Sequence, residues 1–339
     1  MQLTIHRLTL PLAHPFTISR GSITEQTSLV VELECDGIRG LGEVTENTYY
    51  HQTFDSLSQA IHRSEAILPR YANESPNDVW PDLLRAVGNN YFAASAIDIA
   101  AHDFHARRLN VPTYQAWGLH WQNVPESSFT IGIDTIEVMQ QKLAEQPGWN
   151  IYKIKLGTAH DVEIVRRLRE HTTATFRVDA NCGWTVQEAI ENSRVLASLG
   201  VEFIEQPLPA DADSSDKLLV FRESSLPIIA DESCQREADV EACQGLFHGI
   251  NVKICKCGGL TPAVRMLRRA QELGMRTMVG CMIESSVGIS GAAQLLPLLD
   301  YADLDGATLL SRDPAMGIRL KNGQVQLSTL PGNGASLLA

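Results

Sequence analysis

Positive charge is scarce in this 339-residue sequence: 28 lysines and arginines face 40 aspartates and glutamates, for a formal net charge of −12. Proteins that grip a phosphate backbone usually carry a basic stripe, so nucleic acid is excluded as an expected partner. Long apolar runs are missing as well, and no stretch approaches the roughly 18 residues of a membrane span. The opening segment, MQLTIHRLTLPLAHPF, alternates polar and apolar residues and lacks the apolar block of a secretory signal. Seven cysteines form an odd set without regular spacing, which gives no disulfide framework and suits a reducing compartment. These absences leave an acidic protein expected in the cytoplasm and acting on small molecules, with self-association left open.

Lysine is the rarest cation. Only Lys142, Lys153, Lys155, Lys217, Lys253, Lys256 and Lys321 occur, and four of these seven crowd into IYKIKLG and INVKICKCGG. An ammonium can lose its proton in a suitable environment, whereas a guanidinium effectively cannot. Lysine clusters in an arginine-rich chain therefore point to chemistry.

What is present reads as two units. The length suits two domains, or one large barrel with an addition. To about residue 120 the pattern is α+β: Gln2–Leu10, Ser28–Cys35 and Ile38–Val44 alternate as a meander, and Phe92–Arg108 has helical periodicity stopped by Asn110 and Pro112. From residue 121 to 314 short apolar runs alternate with amphipathic helices. The runs are Phe129–Gly132, Ile151–Lys155, Phe176–Asp179, Val201–Glu205, Ile228–Asp231, Ile250–Lys253, Thr277–Gly280 and Tyr301–Asp305. Their spacing of about 25 residues is that of a strand–helix unit, and eight such units predict a parallel (β/α)8 barrel. Val162–His171 is expected to expose Arg166, Arg167 and Arg169, and Pro262–Leu273 to start with Thr261 as its cap. In residues 315–339, GIRLKNGQVQL predicts a hairpin that returns to the first unit.

Barrel enzymes carry their chemistry at the carboxyl ends of the strands. Those ends here are Lys155, Asp179, Glu205, Asp231, Lys253 and Asp305, nearly all ionisable and ordered by sign. Asp179, Glu205 and Asp231 end three successive strands. Convergent carboxylates repel one another unless a cation joins them. Oxygen donors without histidine or cysteine select a hard ion, Mg²⁺ first and Mn²⁺ second. Lys155 flanks this row on one side and Lys253 on the other, while Lys153 shares the inward face of Lys155. Metal charge and burial would favour the neutral amine that a general base needs. Such a site can remove a proton next to a carboxylate, with the enediolate stabilised by the metal and a second lysine returning the proton from the opposite face.

At these residues the chain resembles the enolase superfamily, and within it the muconate lactonizing enzyme subgroup. The matching pieces are KIK (Lys153–Lys155), DAN (Asp179–Asn181), EQP (Glu205–Pro207), DES (Asp231–Ser233) and NVK (Asn251–Lys253). The resemblance covers essentially the whole chain. It implies an enolase-like modified barrel under an α+β cap, Mg²⁺ on Asp179, Glu205 and Asp231, and Lys155 with Lys253 as the acid/base pair.

The eighth run ends in ADLDG, where Asp303 and Asp305 share a face and need a cation that a substrate ammonium would supply. With GCM at the seventh strand, this pair resembles dipeptide epimerases of the L-Ala-D/L-Glu type. The resemblance implies that Asp303 and Asp305 hold the dipeptide ammonium, that Thr130 and Cys281 touch substrate, and that Lys153 helps hold its carboxylate. Arg20, in a loop resembling the family's specificity loop, would pair with a substrate glutamate. Ile23 nearby keeps apolar dipeptides in view, and His51 is a further pocket candidate. A lyase of the o-succinylbenzoate synthase type and a non-catalytic barrel remain as alternatives. GIRGLGE lies in the meander and opens no helix, so it is not a dinucleotide loop, and Cys255 with Cys257 makes no zinc site.

Overall fold

A computed structural model describes residues 1–338. The chain begins with β1 (Gln2–Ile18), β2 (Gly21–Cys35) and β3 (Ile38–Thr45), an antiparallel sheet in that order. Asp36 and Gly37, at φ of 54° and 76°, make the tight left-handed turn between β2 and β3. β1 runs eight residues beyond the expected end at Leu10. Its pairing shifts register between Pro11 and Phe16, then resumes to Ile18 opposite Gly21. The two prolines interrupt the alternation by which a strand is read, although the chain stays extended.

Three helices follow: α1 (Phe54–His62), α2 (Pro76–Ala86) and α3 (Tyr91–Leu109). α3 is buried on nearly every side and ends at Asn110, which adopts the left-handed conformation at φ 55°. Gly40 and Gly42 let it lie against β3, since a Cβ at either would strike the backbone carbonyl of Ala100 or Ala96.

The remaining strands are β4 (Phe129–Ile131), β5 (Ile151–Lys155), β6 (Thr175–Asp179), β7 (Val201–Glu205), β8 (Ile228–Ala230), β9 (Gly249–Val252), β10 (Arg276–Gly280) and β11 (Tyr301–Asp303). They form one eight-stranded parallel sheet in chain order. A bridge between Ser127 and Ala302 brings its first and last strands together. The cylinder is plugged below its mouth by Phe203, Ile229, Met278 and Tyr301. Arg177 lies over Phe203 and Tyr301 and pairs with Glu202 at 2.8 Å. Arg169 is not on an exposed face as its periodicity suggested. It packs 3.7 Å over the Phe176 ring and donates to the carbonyls of Leu199, Thr172 and Ala174.

Two buried carboxylates join the units. Glu43 of β3 accepts from Ser285 N (3.0 Å) and Gly288 N (2.8 Å), at the start of the helix Ser286–Ala293. Asp98 of α3 accepts from Thr261 N and its hydroxyl, both at 2.8 Å, at the start of the helix Leu260–Glu272. Thr261 is thus inside the helix rather than its cap, and the capping oxygen comes from α3.

The predicted hairpin forms, pairing Arg319–Lys321 with Gln324–Gln326. It does not return to the first sheet. Gly323 O accepts from Ser127 N at 2.8 Å, and Leu320 and Val325 pack on the barrel core at the floor of the cylinder. The flanking segments make the return: Ala315 and Ala335 pack with Val30 and Leu41, and Arg107 donates to Ala335 O at 2.6 Å. None of the helices described is long and apolar enough to cross a membrane.

Candidate active site

Strand register places the charged groups. Lys155 pairs with Asp179 across β5 and β6, and Asp179 with Glu205 across β6 and β7, so their side chains stand level on the inner face. Asp231 follows β8 and Lys253 follows β9. The order around the mouth is therefore lysine, three carboxylates, lysine. One oxygen from each of Asp179, Glu205 and Asp231 lies within 4.8 Å of the others, and all three residues are buried. Glu205 Oε2 is buried without a hydrogen-bond partner. Three convergent hard carboxylates, with Glu205 Oε2 accepting no aligned hydrogen bond and compensated by the Lys153 ammonium alone, fit a divalent cation such as Mg²⁺.

The carboxylates do not converge without cations, as the sequence had suggested. Lys153 Nζ stands 2.8 Å from Glu205 Oε2, out of hydrogen-bonding alignment, 3.3 Å from Asp179 and 2.8 Å from Asp303. Lys155 is 2.6 Å from Asp179, and Lys253 is 2.9 Å from Asp231. Lys256, three residues beyond Lys253, has a fully buried side chain and holds Asp231 Oδ1 and the Asp231 carbonyl at 2.5 and 2.6 Å.

Burial alone would raise Asp179 and Asp231, but the neighbouring ammonium groups pull both below the usual carboxylate range. Glu205 is pushed up to about 7 by burial and by the charge on Asp179. Burial would also lower Lys253, yet its attraction to Asp231 outweighs that and holds it as an ammonium. The neutral amine expected at this position thus requires that Asp231 be engaged elsewhere.

Neighbouring polar residues fix this row. Asn251, two residues before Lys253 and on the same face, donates to Glu205 Oε1 at 2.8 Å. Gln206, at a left-handed φ of 36°, accepts from Asp231 N and Ser233 N, both at 3.0 Å. Strand alternation could have revealed Asn251. Nothing local announces the reach of Gln206 or Lys256.

Asp303 and Asp305 also face the mouth, with a difference the sequence concealed. Asp303 already has a cation in Lys153 and lies near 2. Asp305 has no ion-pair partner among the described residues; burial and the Asp303 charge push it up to about 7. Thr130 spends its polar atoms on this pair, N–H to Asp305 at 2.5 Å and hydroxyl to Asp303 at 3.2 Å. Cys281 N donates to Asp303 O at 3.0 Å, and burial beside both aspartates keeps its thiol protonated.

Arg20 does not offer a free guanidinium. It bonds Glu232 Oε1 at 2.7 Å and lies 4.4 Å over the ring of Tyr49. His51 is exposed in a surface turn at φ 55°.

Residues 1–118 match the mandelate racemase/muconate lactonizing enzyme N-terminal domain, and residues 136–338 match the enolase C-terminal domain-like family. The chain belongs to the mandelate racemase/muconate lactonizing enzyme family. Among relatives in this family, the L-Ala-D/L-amino acid epimerase of Flavobacterium johnsoniae is 50% identical over 338 residues, covering 100% of both chains. The substrate-liganded L-Ala-D/L-Glu epimerase of Bacillus subtilis superposes at a TM-score of 0.91 with 27% identity, over 99% of each chain. A dipeptide epimerase from Cytophaga hutchinsonii, solved with Mg and D-Ala-L-Val, gives 0.91 and 26% over 99% of this chain and 95% of that one.

Proposed function

We propose that this protein is a Mg²⁺-dependent dipeptide epimerase that inverts the α-carbon of the C-terminal residue in L-Ala-Xaa substrates. The observation that carries the reading is the row lysine–three carboxylates–lysine across β5 to β9, with an uncompensated Asp305 beside it. The full-length relatives that epimerise dipeptides support the same chemistry.

Asp305 and Asp303 seat the α-ammonium of the dipeptide, and Thr130 keeps the two carboxylates in place. That anchor sets the C-terminal α-carbon between Lys155 and Lys253, which stand at opposite ends of the acidic row. One amine takes the α-proton as the C–H bond breaks, and the opposite ammonium delivers a proton to the other face. Atoms balance and the net change is inversion alone. Asp179, Glu205 and Asp231 would hold a divalent ion, which would supply positive charge against the substrate carboxylate. Lys153, held within 3.3 Å of Asp179, Glu205 and Asp303, adds a fixed positive charge at the same place. Lys256 saturates Asp231 Oδ1 and leaves Oδ2 to exchange Lys253 for a ligand.

The test is incubation with L-Ala-Xaa dipeptides and Mg²⁺ in D₂O. Deuterium should enter the α-carbon of the C-terminal residue with loss of configuration, and a chelator should stop it. No exchange with any dipeptide overturns the proposal.

A further inference from the structure

Each carboxylate of the triad is divided between two kinds of partner. Asp179 Oδ1 accepts from Asn181 N at 2.9 Å, Glu205 Oε1 from Asn251 Nδ2 at 2.8 Å, and Asp231 Oδ1 from Lys256 Nζ at 2.5 Å. The other three oxygens meet different lysines. Lys155 stands 2.6 Å from Asp179 Oδ2, Lys153 2.8 Å from Glu205 Oε2, and Lys253 2.9 Å from Asp231 Oδ2.

The donors on the first set of oxygens are fixed. Asn181 N belongs to the backbone. Asn251 is fully buried in β9, and a Cβ at Gly280 of the neighbouring β10 would stand 2.7 Å from its Nδ2, so the amide fills space that only a glycine leaves. A carboxylate only accepts, which turns Nδ2 rather than Oδ1 toward Glu205. Lys256 has a fully buried side chain and gives its three protons to Asp231 Oδ1, the Asp231 carbonyl at 2.6 Å and the Cys234 carbonyl at 3.3 Å.

We infer that Lys256 and Asn251 are positioning residues that set which divalent ion the protein accepts, by withholding one oxygen each from Asp231 and Glu205. This rests on the reading of the triad as the Mg²⁺ site and deepens it. Mg²⁺ is small, keeps several waters and needs few protein oxygens, whereas Ca²⁺ takes about 6–8 oxygens and accepts both oxygens of one carboxylate. A triad held to one oxygen per residue suits the first ion and leaves the second short of ligands. Freed of Lys256, Asp231 can offer both oxygens; freed of Asn251, so can Glu205.

The experiment measures Kd for Mg²⁺ and Ca²⁺ by calorimetry, without substrate. Ca²⁺ should bind the wild type about tenfold more weakly than Mg²⁺. Groups behind metal ligands shift affinity by about 10–100-fold, so Lys256→Met and Asn251→Ala should each lower the Ca²⁺:Mg²⁺ Kd ratio about tenfold. Lys155→Met is the control for charge. It removes an ammonium from Asp179 Oδ2, an oxygen already on offer, so both ions should tighten alike and the ratio should hold. Asn251→Ala changes no charge and decides the matter alone if Lys256→Met fails to fold. Equal affinities in the wild type, a ratio that Asn251→Ala leaves unchanged, or an equal fall in Lys155→Met would overturn the inference and leave the epimerase reading standing. A wild type that binds neither ion would bring down the Mg²⁺-dependent reading itself.

Discussion

Single residues divide here into those whose charge is already answered and those whose charge is not. Lys153 answers Asp303, and Lys155 and Lys253 answer Asp179 and Asp231. Asp305 stands unanswered, so it is the group from which a substrate ammonium gains most. Hydrogen bonds to charged groups contribute about 1.5–3 kcal/mol, so Asp305→Asn should raise KM for a dipeptide on the order of 10–100-fold. The variant should also lose its preference for the free over the N-acetylated dipeptide, while Mg²⁺ affinity by calorimetry stays the same. An undiminished preference would remove the ammonium role from Asp305. The sequence made the Asp303/Asp305 pair visible but not its asymmetry, because Lys153 reaches Asp303 from a strand 150 residues earlier. A greater distance in sequence hid Arg20 from Glu232, partners separated by 212 residues. A motif declares which groups converge, whereas partner choice depends on side-chain reach across the barrel.

Among the elements, strand ends were the most legible feature. Ile151–Lys155 and Val201–Glu205 match their apolar runs residue for residue, since buried parallel strands read as short Val/Ile/Phe segments closed by a polar group. The long tip of β1 was not legible, because prolines 11 and 15 break the alternation while tertiary contacts keep the chain extended. The cap at Leu260–Glu272 was misread for a related reason. Thr261 is the type of residue that caps helices, but Asp98 supplies the oxygen and Thr261 relays it. Trp117 Nε1 lies 3.2 Å from His102 Nδ1, and His102 Nε2 lies 2.9 Å from the Thr261 hydroxyl, which donates to Asp98. That order assigns the Nε2–H tautomer, and burial lowers His102 to about 3 so that it stays neutral. Asp98→Ala removes the acceptor for two bonds in a buried junction. It should cost about 1–3 kcal/mol of unfolding free energy, measured in urea. A change below about 0.5 kcal/mol, the scale of ordinary surface substitutions, would show that the junction does not depend on it.

For the whole molecule, the balance of charge at the mouth has a thermodynamic consequence. A cation that binds the folded triad and not the unfolded chain stabilises the fold by mass action, about 2.7 kcal/mol at a hundred times its Kd. Mg²⁺ should therefore raise Tm by a few degrees, and Asp179→Asn should abolish most of that rise. An equal rise in the variant would place the ion elsewhere. The barrel as a whole was readable from its eightfold rhythm, and the cap from its meander and long helix. The path of the tail was not. Asn322 and Gly323 specify a hairpin, but the surface it docks on is set by Ser127 and the barrel floor.

Glu43 and Asp98 lend the barrel more than a lid. Excised from its first hundred residues, the cylinder would keep the acidic triad and the lysines at its two ends, yet two of its helices would begin on bare amide groups. Exchange of caps between relatives is thus confined to donors that keep an acid at both places.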